Sequence, residues 1–301
     1  MKRTILALAI TLAYHFGAQA QILYSISGNG LQAPSYILGS EHFASVSFVD
    51  SIPGIRAAMA ATEQVYGELE MANMTSPENL QKLQQAMMLP EGTTLLTLLT
   101  PEEQSRLNVL LKDLMGSDLT NQMMAQQLGR FTPQALQTQL SLLIFLKRHP
   151  DFDAQHQFDS YFQEEAKKQG KPVGGFETLD FQIGVLFNGM PMERQKQLLM
   201  CLVDNRESLE QTADNIVNAF YGQNLDEIEK ALNEEKEGEC GSTPEEENRL
   251  IYDRNANWMK EIPAVMAARP TLFVVGAGHL PGERGVLQLL RNAGYKVEGV
   301  K

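Results

Sequence analysis

The stretch SYILGSEHFAS, Ser35 to Ser45, ends an apolar run in Gly39 and places His42 three residues later. Near the other end of the chain, TLFVVGAGHLPGE, Thr271 to Glu283, repeats the arrangement with Gly276 and His279. Ser35–Leu38 and Thr271–Val275 read as strands, the second of a fully buried type. After the first come a loop with His42, a helix over Asp50–Thr62 with Pro53 in its first turn, and an alternating strand, Val65–Met71. After the second come a loop over Gly276–Gly282, a helix over Glu283–Ala293 capped by Gly294, and a strand over Tyr295–Val300. The chain therefore reads as two β-α-β units, with one more strand, Leu23–Ser27, joined to Ser35–Leu38 through Gly28-Asn29-Gly30. The expected class is α/β with α+β character: a central sheet built from the two units and flanked by helices. In such sheets functional groups gather beyond the carboxyl ends of the strands. The two motif glycines are expected to let the backbone turn sharply there. If the strands are parallel neighbours, His42 and His279 meet.

A large helical insertion, about 76–170 and 179–268, separates the units. Ser76-Pro77, Thr100-Pro101 and Thr132-Pro133 each place a capping hydroxyl before proline at a first helical position, and Glu103 completes a capping box. The methionines around Met87-Met88 and Met123-Met124 read as helix-core filler. Asp153–Gln169 reads as a helix stopped by Gly170 and Pro172, and Lys171–Thr178 as a short strand ending at Glu177. Asp226–Glu247 is dense in carboxylates but lacks the ligand alternation of a Ca²⁺ loop, so it reads as a solvated helix-loop-helix face. Thr243 to Glu246 opens a last insertion helix that runs to about Ala268 and carries Arg254 and Asn255.

The chain has 301 residues, of which 43% are hydrophobic and 21% charged, ordinary for a folded domain. Lys2 and Arg3 followed by the apolar run Ile5–Tyr14 and Ala18-Gln19-Ala20 form a signal-peptide pattern over residues 1–20, leaving a single domain over 21–301. Export to the periplasm or outside the cell is expected, with no membrane span. The net charge is −12, and loss of Lys2 and Arg3 takes it to −14, which disfavours nucleic acid and anionic lipid as partners. Cys201 and Cys240 are the two cysteines, and their spacing leaves a disulfide and two free thiols equally open.

His149 and His156 lie in RHPDFDAQHQ without ligand spacing and read as surface residues. His42 and His279 differ because each follows a strand end. Glu68 or Glu70 from the strand after the first unit, and Glu177 from the short strand, can join them. Two imidazoles and a carboxylate suit a divalent transition metal with an open position. The bland alternative, two loop histidines capping helices, is equally consistent with the residues alone. No Walker A motif, G-x-S-x-G elbow or H-E-x-x-H helix is present, and GAGHLPG departs from G-x-G-x-x-G.

The segments YILGSEH, VYGELE, FDSYFQEEAKKQGKPVGGFETLDFQ, YDRNANWM and LFVVGAGHLPGERGVLQLLRNAGYKV resemble the TraB/GumN family over essentially the whole chain after residue 20. That family includes the animal TIKI proteins, Wnt-cleaving metalloproteases. The resemblance implies a site of Gly39/His42, Gly276/His279 and Glu68. It adds Glu177, Gln182, Arg254 and Asn255 as catalytic or orienting residues, Glu177 or Glu70 as general base, and Mn, Co or Zn as the ion. Glu41, beside His42, departs from the family pattern and is either solvent-facing or an extra carboxylate at the metal. The function implied is an exported, metal-dependent hydrolase acting on peptides or proteins. The alternatives are a non-enzymatic periplasmic binding or accessory protein that retains the site and, by fold-level analogy, an ester hydrolase.

Overall fold

Residues 21–150, 152–153, 157–234 and 238–301 are described in a computed structural model. The expected signal peptide and His156 lie outside the described residues. Among the described residues the strands are β1 (Leu23–Ser27), β2 (Ser35–Ser40), β3 (Gln64–Gly67), β4 (Val173–Gly175), β5 (Thr271–Gly276) and β6 (Lys296–Gly299). They form one mixed sheet in the order β4-β3-β5-β2-β1-β6. β5 is buried along Thr271–Val275 and pairs in parallel with both β2 and β3, as its uninterrupted apolar run requires of a central strand. The two β-α-β units interlock, because β5 of the second lies between β2 and β3 of the first.

The register carries the functional consequence. Gly39 stands opposite Val275 and Ser40 opposite Gly276, so the two Gly-x-x-His segments leave the sheet side by side, offset by one residue. The expected sharp turn at the motif glycines is not what the structure shows. Neither has a positive φ; Gly276 sits at −50°. They are small because their surroundings are close. A Cβ on Gly39 would lie 3.0 Å from Ala277 Cα, Ala277 Cβ and Leu280 Cδ1, and one on Gly276 would lie 3.2 Å from Glu68 Oε1.

Several elements differ from their sequence reading. The strand expected over Lys171–Thr178 spans only Val173–Gly175. The helix expected from Thr243 to about Ala268 is broken into Pro244–Glu247, Asn248–Tyr252, Asp253–Trp258 and Ile262–Ala268. β3 stops at Gly67 instead of continuing to Met71, and Met71–Met74 is a helical turn. The Gln163 carboxamide replaces the ladder there: its Nε2 donates to Leu69 O at 2.7 Å and its Oε1 accepts from Met71 N at 2.9 Å. The helix expected over Asp50–Thr62 is split into a 3₁₀ segment, Val46–Ser51, and an α-helix, Ile55–Ala61, because Gly54 has φ +72°. The helix expected from Asp153 begins at Phe158 and runs to Lys168.

The sheet is covered by a buried cluster that includes Phe158, Phe162, Phe220, Trp258 and Phe273. A separate cluster, Leu95, Leu107, Leu111, Leu140 and Leu199 among others, fills the helices Pro101–Met115, Pro133–Arg148 and Met192–Asp204. Leucines supply this second core; the paired methionines do not, and Met123 is 65% exposed. π-helical turns over Gly184–Asn188 and Asn248–Tyr252 interrupt the helices nearest the sheet, and the second feeds the short helix Asp253–Trp258. Among the described residues no helix is long and apolar enough to cross a membrane.

Cys201 and Cys240 are joined, tying the Met192–Asp204 helix to the turn before Pro244. The bridge closes a loop of sequence separation 39, worth about 4 kcal/mol by the chain-entropy relation. Cys201→Ser is therefore expected to lower the denaturant midpoint of unfolding, and reductant to do the same to the unmodified chain. An unchanged midpoint in both would show that the bridge contributes nothing.

Candidate active site

Arg254 is the hub of the residues at the carboxyl ends of β3, β4 and β5. It is buried, and all five of its N–H groups are engaged. Nε donates to Glu177 Oε1 at 2.7 Å and Nη2 to Glu177 Oε2 at 2.9 Å, a bidentate pair. Nη2 also donates to Glu68 Oε2. Nη1 donates to Leu250 O at 2.9 Å and to His279 Nε2 at 3.1 Å. Glu177 is saturated in turn: Trp258 Nε1 donates to Oε1 at 2.8 Å and Gln182 Nε2 to Oε2 at 2.9 Å. With every lone pair directed at a donor, Glu177 holds Arg254 and is not a free base.

Glu68 follows β3 and accepts the Gly276 N–H at 2.8 Å on Oε1, with Gln182 Nε2 at 3.4 Å from Oε2. Burial would raise its carboxyl, but His279, Arg254 and the Gly276 N–H outweigh burial and hold it down, at about 2. Arg254 is the lasting cause, since its charge does not titrate. Glu70 turns the other way, to Lys167 at 3.2 Å and Asn73 at 3.1 Å, so the structure does not bring it to Arg254.

The two histidines sit in opposite environments. His279 is buried on a 3₁₀ turn, packed at 4.4 Å against Trp258. Asn255 Nδ2 donates to His279 O at 3.1 Å and Arg284 O at 3.0 Å, which leaves Asn255 Oδ1 as an acceptor, 2.7 Å from His279 Nδ1. That fixes the tautomer: Nδ1 carries the proton, and the Nε2 lone pair faces Arg254 and Glu68 Oε1, 3.8 Å away. Burial is the main cause that pushes the His279 pKa down, to about 4. His42 is exposed over 73% of its side chain, and its Nδ1 lies 2.9 Å from Asp159 Oδ2. Asp159 also takes the Ser40 hydroxyl. Asp159 raises the His42 pKa to about 9, with solvent screening tempering the pair. Glu41 is half-buried beside this pair, and burial raises its carboxyl. His42, Glu68 and Arg254 bound one cavity of about 270 Å³.

Sequence reasoning missed Asp159 and Gln163. Both lie on the Phe158–Lys168 helix, far in sequence from the residues they hold, and no local pattern marks them. His149, read as a surface residue, is half-buried: it stacks on Phe145, and its Nε2 is buried 3.6 Å from Asp214.

The donor set fits a divalent transition metal in kind. It has a neutral imidazole with its Nε2 lone pair fixed inward, an imidazole backed by a carboxylate, and an ionised glutamate. Among the described residues, however, no group of three or more His, Cys, Asp or Glu side chains stands at ligand geometry. Arg254 now supplies the positive charge at His279 and Glu68, and a cation there competes with it.

These environments set the response to pH. His279 has a folded pKa below its ordinary 6.5, so its contribution is complete above pH 6.5 and lost as pH falls toward 4. Glu68 acts in the same direction, between about 4.5 and 2. His42 has the opposite sign: its contribution is complete below pH 6.5 and lost as pH rises through about 9. Urea unfolding of the metal-free protein should show maximal stability near neutral pH, with up to about 3 kcal/mol lost by pH 4; a flat profile from pH 7 to 4 would contradict the burial of neutral His279. Glu177→Leu is expected to cost about 3–5 kcal/mol by stranding buried Arg254, and Arg254→Met in the same chain to restore most of that. Equal stabilities for the single and double variants would show that the pair is not coupled.

The profile of the TraB/PrgY/gumN family matches residues 22–299. The chain is 24% identical over 305 residues to the zebrafish (Danio rerio) protein named Metalloprotease TIKI2, covering 88% of this chain and 58% of that protein. It is 24% identical over 302 residues to zebrafish Metalloprotease TIKI1, covering 88% and 60%. Against human (Homo sapiens) Metalloprotease TIKI1 the identity is 23% over 304 residues, covering 88% and 59%. The chain thus spans about three fifths of the length of these relatives. No solved structure matches it. With the matched profile running from the start of the sheet through its last strand, this chain belongs to the TraB/PrgY/gumN family.

Proposed function

We propose that this protein is an exported, metal-dependent hydrolase of peptide bonds. One observation carries the reading: β2 and β5 are parallel neighbours, so the loops with His42 and His279 leave the sheet side by side, offset by one residue, with Glu68 beside both. The relatives' name, metalloprotease, supports the class of reaction. His42, His279 and Glu68 would hold the ion, Mn, Co or Zn. When bound, such an ion lowers the pKa of water and polarises a carbonyl.

The chain's own residues do the positioning. Asn255 keeps the proton of His279 on Nδ1 and so keeps Nε2 a lone-pair donor. Asp159 engages Nδ1 of His42 from the Phe158–Lys168 helix, leaving Nε2 as the nitrogen that would ligate the ion once its proton is lost. The Gly276 N–H and Arg254 fix both oxygens of Glu68 and keep it ionised. Glu177, Gln182 and Trp258 hold Arg254 in turn. Arg254, Asn255 and Glu177 are positioning residues in this reading. The pattern at residues 1–20 supports export.

A second reading has its own observation. Arg254 already satisfies Glu68 and His279 Nε2, which suits an accessory or binding protein that retains the site without a metal. Metal analysis separates the two, using the purified chain, His42→Ala and His279→Ala, with a peptide-library digest in Mn²⁺, Co²⁺ or Zn²⁺. The hydrolase reading expects about one ion per chain, lost in both variants, and cleavage abolished by chelator and by His279→Ala. Equal trace metal in all three proteins, with no cleavage in any ion, supports the accessory protein instead.

A further inference from the structure

The cavity beside His42, Glu68 and Arg254 has a wall that the proposed chemistry does not use. Leu69, Met71, Met74, Val185 and Leu186 line it. The charged groups opposite are already paired: Glu68 with Arg254, Asp159 with His42 and Ser40. A charged side chain set against this apolar wall would leave water without finding a partner there, which is costly. An apolar group would lose nothing and bury its surface. At about 270 Å³ the cavity is small for a whole ligand and has room for one large side chain.

Leu186 is the second observation. It is 43% exposed, on the π-helical turn Gly184–Asn188. A π-turn re-phases a helix locally and is often found at functional sites. Here it presents an aliphatic side chain at the cavity that no core contact requires. Met71 and Met74 face the same space from the helical turn that follows Glu68, and their unbranched thioethers adapt to side chains of different shape.

We propose that this wall is a specificity pocket. It receives one uncharged apolar side chain of the leucine, methionine or phenylalanine class, from a residue adjoining the bond that is cleaved. The proposal rests on the hydrolase reading. It makes Leu186 and Val185 specificity-determining residues.

The test uses the full chain loaded with the supporting ion and a peptide series that differs in one residue next to the cleaved bond. Peptides with Leu, Met or Phe at that position should be cleaved with kcat/KM at least ~10-fold above those with Asp, Lys or Gly. Leu186→Asp, an exposed position where folding should survive, is checked by Tm and metal content. It should lower kcat/KM for the Leu peptide by at least ~10-fold, chiefly through KM, and narrow its advantage over the Lys peptide. Indifference to that residue, or an unchanged profile in Leu186→Asp, overturns the pocket while leaving the hydrolase reading intact. If no peptide is cleaved in any ion, the hydrolase reading fails. The pocket is then judged by calorimetric binding of capped tripeptides with central Leu or Asp. Selective binding of the Leu peptide, lost in Leu186→Asp, supports it; equal or absent binding of both overturns it.

Discussion

A single buried guanidinium holds the end of this sheet together. Arg254 makes a bidentate pair with Glu177 beyond β4, reaches Glu68 beyond β3, takes a carbonyl from the turn before its own helix, and touches His279 beyond β5. A charge in that position is tolerated because every one of its donors finds an acceptor. The same saturation sets the geometry of everything around it. Glu68 and Glu177 cannot rotate without stranding the guanidinium, and His279 cannot turn without losing Asn255, which lies next to Arg254 in the same helix.

That constraint explains why two histidines in matching motifs differ so sharply. Each follows a glycine at the end of a parallel strand, in adjacent strands and offset by one residue. His279 is folded under the helix Asp253–Trp258, loses water, and stays neutral with its proton held by Asn255. His42 has no such cover; Asp159 holds it from one side while solvent reaches the rest. A repeated motif here yields one fixed lone pair inside and one carboxylate-backed imidazole at the mouth. That asymmetry suits a cavity that is open on one side and built on the other.

Several expectations from the sequence hold for a reason, and others fail for one. The first strand Leu23–Ser27, the capping boxes at Thr100 and Thr243, and the order of the two β-α-β units are local features, and the chain forms them where its pattern says. VYGELEM alternates as a strand should, yet stops at Gly67, because the Gln163 side chain takes the hydrogen bonds that a neighbouring strand would have used. That shortening places Glu68 at the sheet's end and turns Glu70 away to Lys167. Asp159 was illegible for the same kind of reason: its partner His42 is far away in sequence, and only packing of its helix on β3 and β5 brings it there.

The sequence by itself determined the paired Gly-x-x-His segments, the class of fold, and the residue types Glu68, Glu177, Arg254 and Asn255 that surround them. Periodicity, caps and turn residues act over a few positions, so they can be read in one dimension. Only the tertiary structure decided which strands are neighbours, that Cys201 pairs with Cys240, and that the motif glycines serve close packing and not a turn. It also decided that Glu177 is an anchor for Arg254 whose lone pairs are already used. Each of these depends on what stands across a gap of tens or hundreds of residues, and burial and hydrogen-bond saturation exist only once that gap has closed.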